Sequence, residues 1–458
     1  MTAVLAMLYL TLMASLALGF YSASNTAVLV SANEQRVERA RLAAESGLDF
    51  ARFNLSKVAI PAKAPISKHF STMCDQMSTR LNGSGNLDNG SIYTDGVTIV
   101  RVPADPNRFI KSDERGSEFQ FTITDISDSN GPKVRVQSIG RNMVTGTADG
   151  LRVVRLDFQL QQRKSKLFQY GIATMGTVTT SGNSRLLGQP NPDKGSILAL
   201  DNNSGTPVAI GGKIVSGDIS VTNPNANIAV SGSVGGSTDQ NDIQTNHIHK
   251  GVDEPEFPTV DTSMFIPYAT NLYTPGKGSY SNIRIPPNTN PSFNAGTVLK
   301  GVIYVQQPNQ VTFNGNASIQ GVIVTDTDKQ AGTLSTNTIK FAGSFSAQGV
   351  ETLDASYGNL RNLSGSFMLM PNFAVTFTGN FDAEAHGSIV VDQATMTGSS
   401  SLKLDGSLVI MKDTPMSMGG NSQLTAGDNA FGFPAGLKFS NRYYPDPSTY
   451  DEVKTPQP

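Results

Sequence analysis

The chain has 458 residues, room for two or three domains. Its 35 basic and 37 acidic side chains nearly balance, which excludes the basic footprint of a nucleic-acid-binding protein. One cysteine excludes an internal disulfide framework, and 44 glycines with no tryptophan point to turn-rich β structure.

No charged residue precedes Glu34. The run from Met1 to Ala32 is dominated by Ala, Leu, Met and Val, and about 20 apolar residues in a helix suffice to span a bilayer. Nothing basic precedes the run, and it is too long for the apolar core of a cleaved secretory signal. An ordinary signal anchor would be oriented by flanking Lys or Arg. The preferred reading is a chain whose basic leader has been removed, leaving an apolar start.

From Val37 onward apolar residues recur at Ala40, Ala44, Leu48, Ala51, Leu55 and Val58, steps of three and four that mark one helical face. Glu34, Arg36, Glu38, Arg39, Arg41, Glu45, Asp49 and Arg52 mostly cover the rest, and Pro61 stops the helix. One rod over residues 1–61 is predicted, weakest at Gly19 and Ser22-Ala23-Ser24-Asn25.

The apolar start followed by Ala44-Glu45-Ser46-Gly47-Leu48-Asp49-Phe50-Ala51 resembles the N-terminal region of type IV pilin-like proteins, in particular the minor-pilin group with an AESGL-type helix. The direct resemblance covers the predicted rod. It implies storage in the inner membrane, delivery by pilus assembly machinery, and a homopolymeric filament held by N-terminal helices. It also implies that Leu5, Leu8, Leu12, Leu16, Val30, Val37, Ala40, Ala44, Leu48, Ala51 and Leu55 pack the filament core. One departure is Leu5, where major pilins usually carry a glutamate at the fifth mature residue. It favours a minor, tip or divergent subunit.

Residues 62–166 read as a small α+β head. A helix is predicted over Ser67 to Leu81, carrying Cys74, followed by strands at Ser91 to Val102, Glu118 to Ile126, Lys133 to Ser138 and Leu151 to Gln162. Alternation is plain in Val134-Arg135-Val136-Gln137, and Asp128-Ser129-Asn130-Gly131 is a hairpin turn.

The C-terminal half repeats. A glycine followed by a short apolar strand recurs, almost evenly spaced, at Gly301, Gly321, Gly343, Gly365, Gly387 and Gly406. A second element, apolar-x-apolar-x-Gly-Asn/Ser, recurs at Val178, Ile228, Val311, Ile339, Val375, Ala394 and Met416. So short and regular a period, with one or two short strands in each repeat, means a solenoid. The prediction is a right-handed parallel β-helix, or β-solenoid, over residues 167–430, with these glycines at its corners. An insertion at about 235–295 interrupts it, and the proline-rich 431–458 segment is expected to strap the last rung. The stretch from Ile283 to Pro291 leading into Gly301-Val302-Ile303-Tyr304 looks similar to exported pilin-like proteins with β-helical C-terminal regions.

Chemistry is sparse. In Asp382-Ala383-Glu384-Ala385-His386 the three polar side chains share a strand face, a set able to hold a metal or do acid–base work, but a solvated face is the expectation. His247 and His249 lack a third ligand in sequence, and Asp239 to Asn246 lacks EF-hand spacing. No phosphate loop, nucleophile elbow or zinc-type cysteine pattern occurs. The expectation is a non-enzymatic subunit of α+β class without cofactor or metal, displaying its β-helix for surface contact such as adhesion. The alternative is a membrane-anchored cell-surface β-helix protein acting on polysaccharide.

Overall fold

The computed structural model describes residues 2–61, 64–87, 89–129, 131–144, 147–162, 165–201, 203–327, 330–428, 430 and 432–453. The chain divides into two units, Met1–Arg163 with Ser440–Pro458, and Lys164–Phe439. The second is thus inserted in the sequence of the first.

The first unit is a long helix followed by an antiparallel sheet. Helix α1 runs unbroken over Thr2–Lys57, about 84 Å at 1.5 Å per residue, so the predicted weak point does not interrupt it. From Ala40 its small side chains lie on the strands Ser117–Asp125, Lys133–Val144 and Thr147–Gln162. Those strands alternate as the sequence does: Phe119, Phe121 and Ile123, then Val134 and Val136, then Val154, Leu156 and Phe158 are buried beneath the helix. Tyr93–Thr94, Ile99–Val102 and Ile110–Lys111 extend the sheet on its other side. Helix α2, His69–Leu81, adds Phe70, Met73, Cys74 and Met77 to the same core. Cys74 is a buried free thiol whose pKa burial pushes up to about 11, so it is held in the unreactive thiol form.

The C-terminal segment departs from expectation. Asn441–Val453 does not strap a repeat: it pairs antiparallel with Thr147–Gln162 and completes the head sheet, burying Tyr443. An alternating Asn441-Arg442-Tyr443-Tyr444 start, followed by prolines, suits an edge strand, where a missing N–H can face solvent.

The second unit is dominated by one large parallel sheet arranged as three ladders. Ile172–Thr174, Val178–Thr180 and Arg185–Gly188 pair in register with Ile197–Ala199, Val208–Ile210 and Ile214–Val215. Those in turn pair with Ile219–Val221, Ile228–Val230 and Ser233–Val234, and Ile248–Lys250 ends the first ladder. The chain then restarts at Asn271–Leu272 and winds back through Ser279–Ile285, Val298–Val305, Ala317–Thr325, Ser366–His386 and Ser388–Met396. Its last turn, Leu408–Ile410, Met416–Met418 and Gln423–Ala426, pairs with the first, Ile172–Gly188. The turn that comes first in sequence therefore lies inside the stack, and the unit's entry and exit fall on neighbouring turns.

Two repeat expectations change. The stretch at about 235–295 is no plain insertion: Ile248–Lys250, Asn271–Leu272, Ser279–Ile285 and Ser292–Phe293 are strands of the sheet. In Ser279–Ile285 the pairing with Val298–Val305 shifts register at Asn282, whose φ is 49° and whose Oδ1 accepts from Val302 N at 3.0 Å. Gly343 is also out of phase. Gly301 pairs with Gly321, and a Cβ at Gly387 or Gly406 would meet the backbone of Gly365 or Gly387 respectively, all at one corner. A Cβ at Gly343 would instead meet Gly315, at the next corner along.

Inward positions of the second ladder form one column. Phe293, Phe313, Phe341 and Phe377 stack at centroid distances of 5.1, 4.8 and 5.3 Å with rings within 17° of parallel. Met396, Met418, Thr180, Ile210 and Val230 continue it turn by turn. In-register parallel pairing places like beside like, which is why the apolar-x-apolar-x-Gly element was visible in the sequence.

Candidate assembly surface and a polar groove

Helix α1 changes character along its length. Through Ala32 it carries no charge, and its side chains are apolar on every face. Leu5 is 70% exposed, Leu8 64%, Leu12 53%, Leu16 49% and Val30 52%. Three of its hydroxyls bond back to the helix: Thr11 Oγ1 donates to Met7 O at 3.0 Å, Ser15 Oγ to Leu12 O at 2.8 Å and Thr26 Oγ1 to Ser22 O at 2.9 Å. Hydroxyls satisfied by their own helix suit a water-free environment. The helix is long and apolar enough to cross a membrane by length and composition.

The later part of the expected packing set lies elsewhere. Ala40, Ala44, Ala51 and Leu55 are fully buried and Leu48 nearly so, against the chain's own sheet, and Val37 is half-buried. They are therefore not open to a second copy. The physical reason is the close seat that Ala44-Glu45-Ser46-Gly47 provides. A Cβ on Gly47 would lie 2.3 Å from Ser138 Oγ, and one on Gly140 would lie 2.1 Å from Ala40 O and 2.2 Å from Ala44 N. The facing glycines bring helix and sheet to backbone contact. Flanking that seat, Arg41 bridges Glu38 at 2.6 Å and Glu45 at 2.7 Å, while Tyr450 Oη donates to Glu45 Oε1 at 3.1 Å.

In the parallel-sheet unit the third ladder splits. Ala317–Gln320 pairs with Phe345–Gln348, but pairing of that strand with the next turn reaches only Ser344 and Asp382. Beyond that point Ala383–His386 pairs with Leu402–Asp405 instead. A groove of about 450 Å³ opens there, lined by Ser346, Gln348, Glu384, His386, Lys403 and Gln423 among others. Lys403 Nζ lies 2.5 Å from Glu384 Oε1, and this hydrogen bond holds the Glu384 carboxyl below its ordinary pKa. His386 Nδ1 meets Glu351 Oε1 at 3.2 Å. The Asp382 side chain lies outside the described residues; Glu384 and His386 do share a face, as the spacing predicted. The sequence did not bring forward Asp405, the register partner of His386, because nothing local marks a partner on the next turn of the sheet.

His247 and His249 converge on one carboxylate. His247 Nδ1 and His249 Nε2 contact the two oxygens of one carboxylate, Asp218, at 2.8 and 2.9 Å. Asp239 caps a short helical stretch by accepting from Asn241 N at 2.9 Å, and Asp242 accepts from Asn246 Nδ2 at 2.7 Å. These acids serve the loop that leads into Ile248–Lys250.

No family model and no curated protein matches the chain. Among solved structures it is similar to the competence-associated pilin ComZ from Thermus thermophilus, at 11% identity over 91% of this chain and 97% of that one, with a TM-score of 0.21. So low a score leaves the fold of this chain to its own strand order and burial.

Proposed function

We propose that the chain is a structural subunit of a type IV pilus-like extracellular filament. One observation carries the reading: a helix half that is uncharged, apolar on every face and exposed along its length requires lipid or other apolar helices around it. The membrane, the inner one in this reading, holds that half before assembly, and pilus assembly machinery transfers it to a core of copies. If each copy covers about 1,500 Å² of apolar surface, about 25 cal/mol per Å² gives tens of kcal/mol before ordering costs. The second unit is then a parallel β-helix, right-handed as nearly all parallel crossovers are, displayed on the cell surface for contact such as adhesion. The subunit needs no cofactor, nucleic acid or catalytic group for this role. The ion pair of Glu384 with Lys403 supports this non-enzymatic reading over one in which the groove cleaves polysaccharide.

Electron microscopy of material sheared from cells tests the proposal. Filaments are expected from the unaltered chain and none from Leu12→Asp, at equal cellular levels of the two proteins. Normal filaments from Leu12→Asp overturn it. So does an unaltered chain that stays unassembled in the membrane, the outcome that favours the polysaccharide alternative.

A further inference from the structure

We propose that Glu384, His386 and Asp405 bind one divalent transition-metal cation, which clamps two successive turns of the parallel sheet beside the split in its third ladder. Among the described residues, one ligand atom from each of the three lies within 4.8 Å of the other two. Three features argue that this is a site rather than chance crowding. His386 and Asp405 are register partners, and Glu384 is two residues from His386 on the same strand, so the backbone ladder fixes their spacing. His386 Nδ1 is engaged by Glu351 Oε1, from the short helix Val350–Thr352 outside the cluster. A carboxylate on one ring nitrogen fixes the tautomer and the ring's orientation, the usual support of a metal-bound histidine. Finally, the strand Ala383–His386 lacks a ladder partner on its groove side, so Glu384 and His386 line the groove there instead of facing a neighbouring strand.

The donor set selects the ion. One imidazole and two carboxylates suit zinc or manganese, whereas calcium needs six to eight oxygens. The groove leaves the remaining positions to water or to an oxygen donor from a bound ligand. Lys403 is the built-in competitor: its ammonium occupies Glu384 Oε1 at 2.5 Å and must swing away when the cation enters.

Zinc titration of the detergent-solubilised full chain, by calorimetry and by thermal unfolding, tests the site. Expected are one zinc per chain and a raised melting temperature for the parallel-sheet unit. His386→Ala and Asp405→Asn should each weaken binding at least about tenfold, and Glu351→Leu, which removes only the acceptor behind the imidazole, by about 10- to 100-fold. Lys403→Met should tighten it. The double variant His247→Ala/His249→Ala should bind as the unaltered chain does. If His386→Ala melts below the unaltered chain without zinc, Asp405→Asn and Lys403→Met carry the test. No binding below about 1 mM zinc overturns the proposal, as does binding that His247→Ala/His249→Ala abolishes or that Asp405→Asn and Lys403→Met leave unchanged.

Discussion

Helix α1 is one continuous element with two environments. Its first half exposes Leu5, Leu8, Leu12 and Leu16; its second half buries Ala40, Ala44, Leu48 and Leu55 under the chain's own strands. The resemblance of residues 1–61 to pilin-like helices suggested a single packing role for all of them. What separates the halves is the pattern, not the amount, of apolar surface. A run apolar on every side has no preferred partner face and fits a surrounding of lipid or like helices. A stripe at three- and four-residue steps, with charges such as Glu38, Arg41 and Asp49 around it, commits to one surface, and the head sheet supplies that surface.

The largest expected effect breaks this division at its buried end. Ala40→Glu puts a carboxylate where Ala40 is fully buried and where a Cβ on Gly140 would already meet the Ala40 carbonyl at 2.1 Å. An unpaired buried charge costs about 4 kcal/mol and the overpacked side chain about 1–3 kcal/mol more, together comparable to the whole stability of a marginal domain. Hydrogen exchange should show protection lost across Lys133–Val144 and Thr147–Gln162 while Phe341 and its neighbours stay protected. A head that keeps its protection would return Ala40 to the filament core.

The sequence declared some of this and concealed the rest. The head strands near 118–126, 133–138 and 151–162 and both helices were legible because alternation and helical steps are local, whereas Ser91 to Val102 is a hairpin of Tyr93–Thr94 on Ile99–Val102, not one strand, and Ile110–Lys111 carried no such signal. The inward column through Phe313, Phe341, Phe377, Met396 and Met418 was legible because parallel stacking repeats a residue type every turn. Asn441–Val453 was not, because its partner strand ends at Gln162, and no local signal reports a pairing across the whole second unit. The reversal of stacking order escaped for the same reason: Leu408 beside Ile172 is a contact between residues far apart in sequence, carried by ladders that any apolar strand satisfies. Among the groove residues, Glu384 and His386 were visible by their two-residue spacing, while Asp405 and Glu351 needed the fold.

A smaller effect sharpens the comparison by subtraction. Gln162 and Asn441 are register partners on adjacent strands, so the chain leaves the head sheet and re-enters it at one point. Replacing residues 164–439 with a short glycine-containing turn makes an ordinary hairpin of those strands. The buried half of α1 should remain seated, with head stability changed by no more than about 1 kcal/mol in denaturant unfolding of the detergent-solubilised chain. Loss of the head on excision would mean that α1 is held by more than its own sheet.

The smallest effect locates the boundary itself. Leu42 is 49% exposed in the half whose apolar stripe is buried, on the side of α1 turned away from the strands. Leu42→Asp should change head stability by less than about 0.5 kcal/mol, since no contact with the sheet is lost. Its effect on filament yield then reports how far along α1 neighbouring copies reach. Undiminished yield places the end of the shared core before Leu42. A yield that falls as it does for Leu12→Asp would extend that core beside the head, so that one helix serves the sheet with one face and sister chains with the other.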